Sequence, residues 1–318
     1  MTVRVAVIGT GFGARVVAPV FAATEGCEVV AVVSPRDDVA GELATHRADL
    51  VTVHSPPFLH AEHVRVALDL GAAVLCDKPC TPSAPDTARL LADADASGQV
   101  HLVNFEFRWD PARQAIKALL AAGALGEIEH VTWHHVSAGS RVPLRDYGWL
   151  FDATLGGGWI GAWASHAVDA LRWWFGDLEV EWSRPRTDIP FRVDREGVER
   201  TCTAEDGVTA ALRAASGASI VIDSTFAASA TRPARLTILG SRGVVECVDD
   251  RILHLRGVDG RREDLPFDSA GRDRHGAPLR RWATVVRDSV NAGEPLEGAP
   301  TLRDGLAVDR VLDSLRRG

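Results

Sequence analysis

Val3 to Ile8 read as a short apolar strand that runs directly into Gly9-Thr10-Gly11-Phe12-Gly13-Ala14 and then into a helical pattern. The string fits G-x-G-x-x-G/A, and its strand, turn and helix setting is the one in which that pattern binds the pyrophosphate of a dinucleotide. Gly9 permits the tight turn, Gly11 lets backbone approach the pyrophosphate, and Ala14 allows close helix packing while the helix start faces the phosphates. Gly9, Thr10, Gly11, Phe12 and Gly13 are therefore the expected phosphate cradle.

Short β-branched runs then alternate with helical patterns as far as Val100 to Phe105, which is the rhythm of βαβ units and a parallel sheet covered on both faces. Too few residues separate Ser34 from Leu50 for a helix, a strand and a second helix, so Val51 to Val53 should follow Val29 to Val33 through one helix and the sheet should lack one edge strand. From Glu127 the pattern changes to strand pairs around Ala215-Ser216-Gly217 and Gly240-Ser241-Arg242-Gly243, with a helix from about Ser165 and two more near the end. The expected architecture is α/β: a Rossmann-like dinucleotide domain over 1–118 and an α+β domain for substrate and assembly over 119–318.

A net charge of −8 removes the basic footprint of a nucleic-acid or anionic-membrane binder. No run of apolar residues is long enough to span a bilayer, and five cysteines without a CxxC pair suggest neither a disulfide framework nor a zinc site. A cytoplasmic protein is expected. The chain holds only two lysines, Lys78 and Lys117, so a lysine inside a promising motif stands out.

An NAD-selective site usually ends its second strand in an acid that accepts from the ribose 2'-hydroxyl. Here that strand ends in Ser34-Pro35-Arg36, and a hydroxyl with a guanidinium suits a 2'-phosphate. NADP(H) is favoured over NAD(H), although Asp37 or Asp38 stands close enough to serve the latter.

Further along come Ser55-Pro56-Pro57-Phe58-Leu59-His60, Asp77-Lys78-Pro79, Phe105-Glu106-Phe107-Arg108-Trp109-Asp110-Pro111, Gly156-Gly157-Gly158 and His166-Ala167-Val168-Asp169, with an echo in Thr301-Leu302-Arg303-Asp304-Gly305. In this order they resemble the glucose-fructose oxidoreductase, inositol dehydrogenase and rhizopine catabolism (Gfo/Idh/MocA) family. The resemblance implies a Rossmann domain, a second domain with a largely antiparallel open sheet, and a nicotinamide at their junction. It also implies cofactor contacts at Ser55, Pro56, His60, Asp77 and Lys78, a cofactor or substrate contact at Arg108, for which a structural ion pair is the equal alternative, and a Lys78-Pro79 bond that is cis. Three departures stand out: the family's Glu-Lys-Pro begins with Asp77, the family's Asp four residues and Gly two residues before its histidine are Ala162 and Ala164, and the link after Ser34 is short.

Oxidising a secondary alcohol needs a group to take the hydroxyl proton while hydride leaves. Imidazole titrates nearest neutrality, which makes His166 the acid/base candidate, with Lys78 polarising the substrate oxygen or acting as the base. Asp169, one turn on, could orient His166 or pair with Arg172. Five of nine tryptophans fall between Trp149 and Trp174. Aromatic faces suit the C–H faces of sugars, so Trp109, Tyr147, Trp149 and Trp163 are candidate walls of a substrate pocket that also holds Lys78 and His166. His60 with His63, and His134 with His135, lack companion ligands, and no metal is expected. The leading reading is an NADP-dependent dehydrogenase or ketoreductase of a sugar, cyclitol or sugar derivative, forming a homodimer or homotetramer. The alternatives are a reductase of another carbonyl or imine, and a regulator that senses nucleotide or ligand without turnover.

Overall fold

The computed structural model describes residues 1–267 and 274–318. Two compact units emerge, one of Met1–Trp109 with a later stretch ending at Arg310, the other starting at Asp110 and regaining Val311–Gly318. The first unit opens with β1 (Val3–Ile8), a π-turn over Gly13–Val17 leading into α1 (Ala18–Ala22), β2 (Cys27–Val33), α2 (Val39–His46) and β3 (Leu50–Val53). It continues through α3 (Pro57–Asp69), β4 (Ala73–Cys76), α4 (Ala84–Ser97) and β5 (His101–Val103). All five strands are parallel, in the order β2-β1-β3-β4-β5.

One helix joins β2 to β3, as the short spacing required, and this leaves β2 at the edge. That position explains why β2 departs from the continuously buried run expected of it: β3 and β4 are buried throughout, whereas Val32 of β2 is 47% exposed. The helix after β3 starts at Pro57, because proline is pre-organised for the first helical position. Side chains of Asp38 and Ser83 cap α2 and α4, accepting from Gly41 and Asp86 backbone N–H groups.

The second unit begins with α5 (Pro111–Ala121), β6 (Ile128–Val136) and α6 (Ser165–Phe175), then β7 (Leu178–Arg186), β8 (Phe191–Val193), β9 (Glu199–Thr201), β10 (Gly207–Ala214) and β11 (Ser219–Thr225). β12 (Arg235–Gly240), β13 (Gly243–Val248), β14 (Ile252–Gly257) and β15 (Arg262–Pro266) complete it. Eight of these strands form one sheet, β15-β14-β13-β12-β6-β11-β10-β7, antiparallel except for the parallel pair β6 and β11. Both expected hairpins are present, and β8 with β9 makes a separate two-stranded ribbon. The expected boundary after residue 118 falls inside α5. That helix sides with the second unit because Arg113 pairs with Asp250 at 3.3 Å and lies 5.3 Å over the Trp133 ring.

α7 (Gly276–Ala292) returns to the first unit, where Leu279, Trp282 and Val286 close a core with Val3, Val5, Val7, Phe21, Leu50, Leu75 and Leu102. α8 (Leu302–Arg317) ends the chain. Among the described residues no helix is long and apolar enough to cross a membrane.

Candidate functional site

The turn after β1 is built around what a side chain would hit. Gly9 has φ +134°, and a Cβ there would lie 2.6 Å from the His54 carbonyl oxygen; one at Gly13 would lie 3.1 Å from Val7 and His54 side-chain atoms. At Gly11 a Cβ would meet nothing closer than the Arg15 guanidinium at 3.9 Å, so this stretch of backbone faces open space. The chain thus lies tight against the ends of β1 and β3 and leaves an unfilled approach at its middle glycine. These residues fit a dinucleotide pyrophosphate, and Thr10 stays exposed at the rim. A cavity of about 510 Å³ lined by Met1, Leu43, Arg47, Gly71, Val100 and Gly293 opens at the opposite, amino ends of the strands. Open α/β sheets bind ligands at the carboxyl ends, so that cavity is not the cofactor site.

Lys78 follows β4 at the carboxyl edge, and its bond to Pro79 is cis, as expected. The preceding Asp77 carboxylate holds the turn: Oδ1 accepts the Lys78 backbone N–H at 2.9 Å and Oδ2 accepts His54 Nδ1–H at 3.0 Å. Burial opposes charge on Asp77, but the His54 hydrogen bond and the His54 and Lys78 charges overcome it and hold the carboxyl well below the usual range.

The far end of the same turn is clamped by His60, which corrects one expectation. Its Nδ1 lies 3.1 and 3.2 Å from the Pro79 and Cys80 carbonyl oxygens, and its Nε2 lies 2.6 Å from that of Ser55. Carbonyls on both nitrogens demand two N–H donors, hence an imidazolium. Burial works against that charge, yet neighbouring Cys76 and Asp77 raise the His60 pKa. Fully engaged and 1% exposed, His60 has no atom left for a cofactor. Ser55 is committed as well, its hydroxyl to His63 at 2.9 Å, and Pro56 stands at the start of α3.

Arg108 is likewise a brace. Buried at 6% exposure, it donates to Asp304 Oδ1 at 3.1 Å and to the Gly298 carbonyl at 3.4 Å. The echo around Thr301 gains a physical reason here: Asp304 binds Arg108 and caps its own turn through Thr301 N–H, while a Cβ on Gly305 would lie 2.3 Å from Cys80 Sγ. The ring of Trp109, half-buried, stacks on fully buried Trp282 at 4.2 Å. At the end of β2, Ser34 Oγ accepts the Arg36 backbone N–H at 3.2 Å, and the exposed Arg36 guanidinium has no protein partner among the described residues.

In the second unit His166 opens α6 and is 7% exposed, with Ser165 Oγ bonded to the Gly161 carbonyl at 2.7 Å. A π-turn over Ile160–Ala164 leads into the helix. Before it, Gly157 is forced by the Trp149 carbonyl, 2.3 Å from where its Cβ would stand, and buried Glu205 accepts Ile160 N–H at 3.0 Å. Arg172 bonds Asp177 at 2.5 Å, and buried Asp169 stands one turn after His166 on α6. Trp163 stacks near His135 at 5.4 Å and Trp159 at 6.4 Å, and Trp159 Nε1–H donates to Ser224 at 2.8 Å. Tyr147 donates to Asp152 at 3.2 Å and packs on the Phe151, Cys202 and Phe226 cluster, while Trp149 remains 39% exposed.

Three residues that the sequence did not single out for these surfaces join them. His54 and His275 flank the glycine turn through Phe12, whose ring lies 5.8 and 5.1 Å from theirs, and Trp159 extends the aromatic surface. His275 Nδ1 bonds buried Glu106 at 2.8 Å. Burial disfavours its charge, but the Glu106 hydrogen bond and carboxylate raise its pKa. Isolated histidines far in sequence from their partners carry no spacing signal. Among the described residues no cluster of three or more potential ligands forms a metal site.

Comparison with known proteins gives a consistent picture. Residues 3–105 match the model of the oxidoreductase family with an NAD-binding Rossmann fold, and residues 113–246 match the GFO/IDH/MocA C-terminal domain. An uncharacterized oxidoreductase of Synechocystis sp. is 32% identical over 97% of this chain and 92% of its own length. Inositol 2-dehydrogenase 3 of Saccharopolyspora erythraea is 27% identical over 98% of this chain and 91% of its own. Among solved structures, levoglucosan dehydrogenase in complex with NADH and L-sorbose superposes with a TM-score of 0.87 at 20% identity, covering 99% of this chain and 96% of the other, which speaks to fold alone.

Proposed function

Because the chain belongs to the Gfo/Idh/MocA oxidoreductase family, we propose that it moves hydride between NADP(H) and a secondary alcohol or ketone of a sugar, cyclitol or sugar derivative. The observation that carries this reading is the Lys78 turn, fixed by Asp77 at the carboxyl end of β4 in the same sheet whose β1 turn leaves Gly11 open. The nicotinamide, when bound, supplies the hydride acceptor or donor. Lys78 polarises the substrate oxygen with its ammonium, and His166 takes the hydroxyl proton during oxidation and returns it during reduction. The aromatic surface of Trp159 and Trp163 suits the C–H faces of a ring polyol. A relative named for inositol supports that substrate class.

Preference for NADP(H) rests on Arg36, whose exposed guanidinium bonds nothing among the described residues and is available to a 2'-phosphate, while Asp38 Oδ1 accepts the Gly41 N–H at the start of α2. The neighbour with NADH makes cofactor choice the part most in need of test. Reduction or oxidation followed at 340 nm over a panel of sugars and cyclitols, with each cofactor in turn, should give turnover with NADP(H) at lower KM than with NAD(H). Equal KM values would remove the preference. Absence of turnover with every panel member, together with tight cofactor binding, would favour the second reading, a ligand-sensing regulator, for which Ala162 in place of the family's acid is the specific support.

A further inference from the structure

Asp77 is the hinge of the proposed catalytic turn, and what holds Asp77 is a side chain from another strand end. His54 follows β3 and its side chain is 0% exposed. Its backbone and Cβ form the floor against which Gly9 and Gly13 lie, and its ring meets Phe12 edge-on at 5.8 Å. From there Nδ1–H reaches Asp77 Oδ2 at 3.0 Å. The other carboxylate oxygen accepts Lys78 N–H at 2.9 Å and the longer contact from Asn104 Nδ2 at 3.5 Å. A single ring therefore bridges the nucleotide turn and the acid that sets the Lys78 backbone. Deepening the reading given above and resting on it, we propose that His54 is a positioning residue, which fixes the Asp77 carboxylate and through it the Lys78–Pro79 turn relative to the glycine cradle.

The chemistry favours this over simple packing. A carboxylate with Oδ1 held by a backbone N–H can still swing Oδ2 unless a donor fixes it, and swinging Asp77 shifts the backbone amide that Lys78 leaves from. Misplacing a reacting group by about 1 Å can cost about 100-fold in rate.

The test exploits the two lysines. With ¹³Cε-lysine labelling, the spectrum of the full chain contains only Lys78 and Lys117, and no substrate or cofactor is needed, so the result stands apart from whether the enzymatic reading holds. Lys117, bonded to the Trp173 carbonyl, is the internal reference. His54→Leu, which keeps bulk and removes the donor, should move the Lys78 resonance toward that of free lysine and leave Lys117 in place. His54→Asn, whose amide nitrogen can take the position of Nδ1, should restore the wild-type signal, and Asp77→Asn should reproduce the change seen in His54→Leu. On a substrate found in the panel, His54→Leu should lower kcat about 10- to 100-fold with KM within about twofold. An unmoved Lys78 signal in His54→Leu, or equal displacement in His54→Leu and His54→Asn, would overturn the proposal. If His54→Leu fails to fold, Asp77→Asn carries the same decision, because an unmoved Lys78 signal there breaks the link between acid and turn.

Discussion

Arg36→Ala should weaken NADPH binding about tenfold or more while leaving NADH within about twofold, because a charge-assisted bond to the 2'-phosphate is worth about 1.5–3 kcal/mol and NADH has no 2'-phosphate to lose. Fluorescence titration with each cofactor measures it, and equal losses for both would reject Arg36 as the selector. His166→Ala and Lys78→Ala should each lower kcat about 10²- to 10⁴-fold with cofactor affinity nearly unchanged. Near-normal kcat in His166→Ala, with chemistry rate-limiting, would leave Lys78 as the proton carrier. Residue by residue, the sequence was readable where a type was rare or a spacing constrained. Lys78 stood out as one of two lysines, and the glycines by their pattern. His60 misled because a histidine in a motif looks like a ligand contact, whereas three carbonyl oxygens at 2.6 to 3.2 Å make it a brace. His54 was missed because its partner lies 23 residues away, a distance set by tertiary pairing of β3 with β4.

Elements carry their own predictions. The β1 turn separates folding from binding within three residues: Gly9→Ala forces a Cβ to 2.6 Å from a backbone oxygen at φ +134° and should lower Tm, whereas Gly11→Ala meets nothing within 3.9 Å of its new methyl and should keep Tm but weaken cofactor binding. Equal Tm losses would refute the distinction. At the start of α5, Asp110 accepts Ala112 and Arg113 N–H groups at 2.9 and 3.3 Å, yet burial and the nearby Asp250 charge push its pKa up to about 6. An acid raised above its unfolded value of about 3.9 binds more protons when folded. Its charge therefore costs stability above about pH 6, and the cost is relieved as pH falls toward about 4. Asp110→Asn keeps the cap, so it should be about 1–3 kcal/mol more stable than wild type at pH 7, with the difference vanishing near pH 4. Urea melts at both pH values give the comparison, and a pH-independent difference would assign the effect elsewhere. The strands β1 to β5 and the two Gly-turn hairpins were legible because apolar runs or turn residues marked them. β9 and β15 were not: Glu-Arg-Thr is exposed throughout, and Arg-Glu-Asp-Leu-Pro alternates too weakly to signal a strand.

At the scale of the whole molecule, the eight-stranded sheet has one face built from rows such as Leu212, Ile220, Val131, Ile238, Val245 and Leu255, all buried. The register places a different row on the other face: Trp182, Ala211, Val221, Thr132 and Thr237 lie side by side across five strands, and Trp182 is 51% exposed. Beyond Thr237 the row runs on into Glu246, which Arg235 bonds at 2.6 Å, and a neighbouring row carries Arg213 against Glu181. An apolar-to-threonine centre flanked by ion pairs is the composition of a protein interface, and a flank that is charge-paired within one copy can meet its symmetry mate without repulsion. The occupant we expect is therefore a second copy of the chain across a two-fold axis, giving a homodimer or a tetramer assembled from dimers. Val221→Glu, in the middle of the row, would place two carboxylates against each other at such an axis and should convert the assembly to monomer, while Arg213→Ala at the flank should change association little. Light scattering at micromolar concentration decides the matter, and a wild-type monomer, or a Val221→Glu variant of unchanged mass, would show that this face meets solvent.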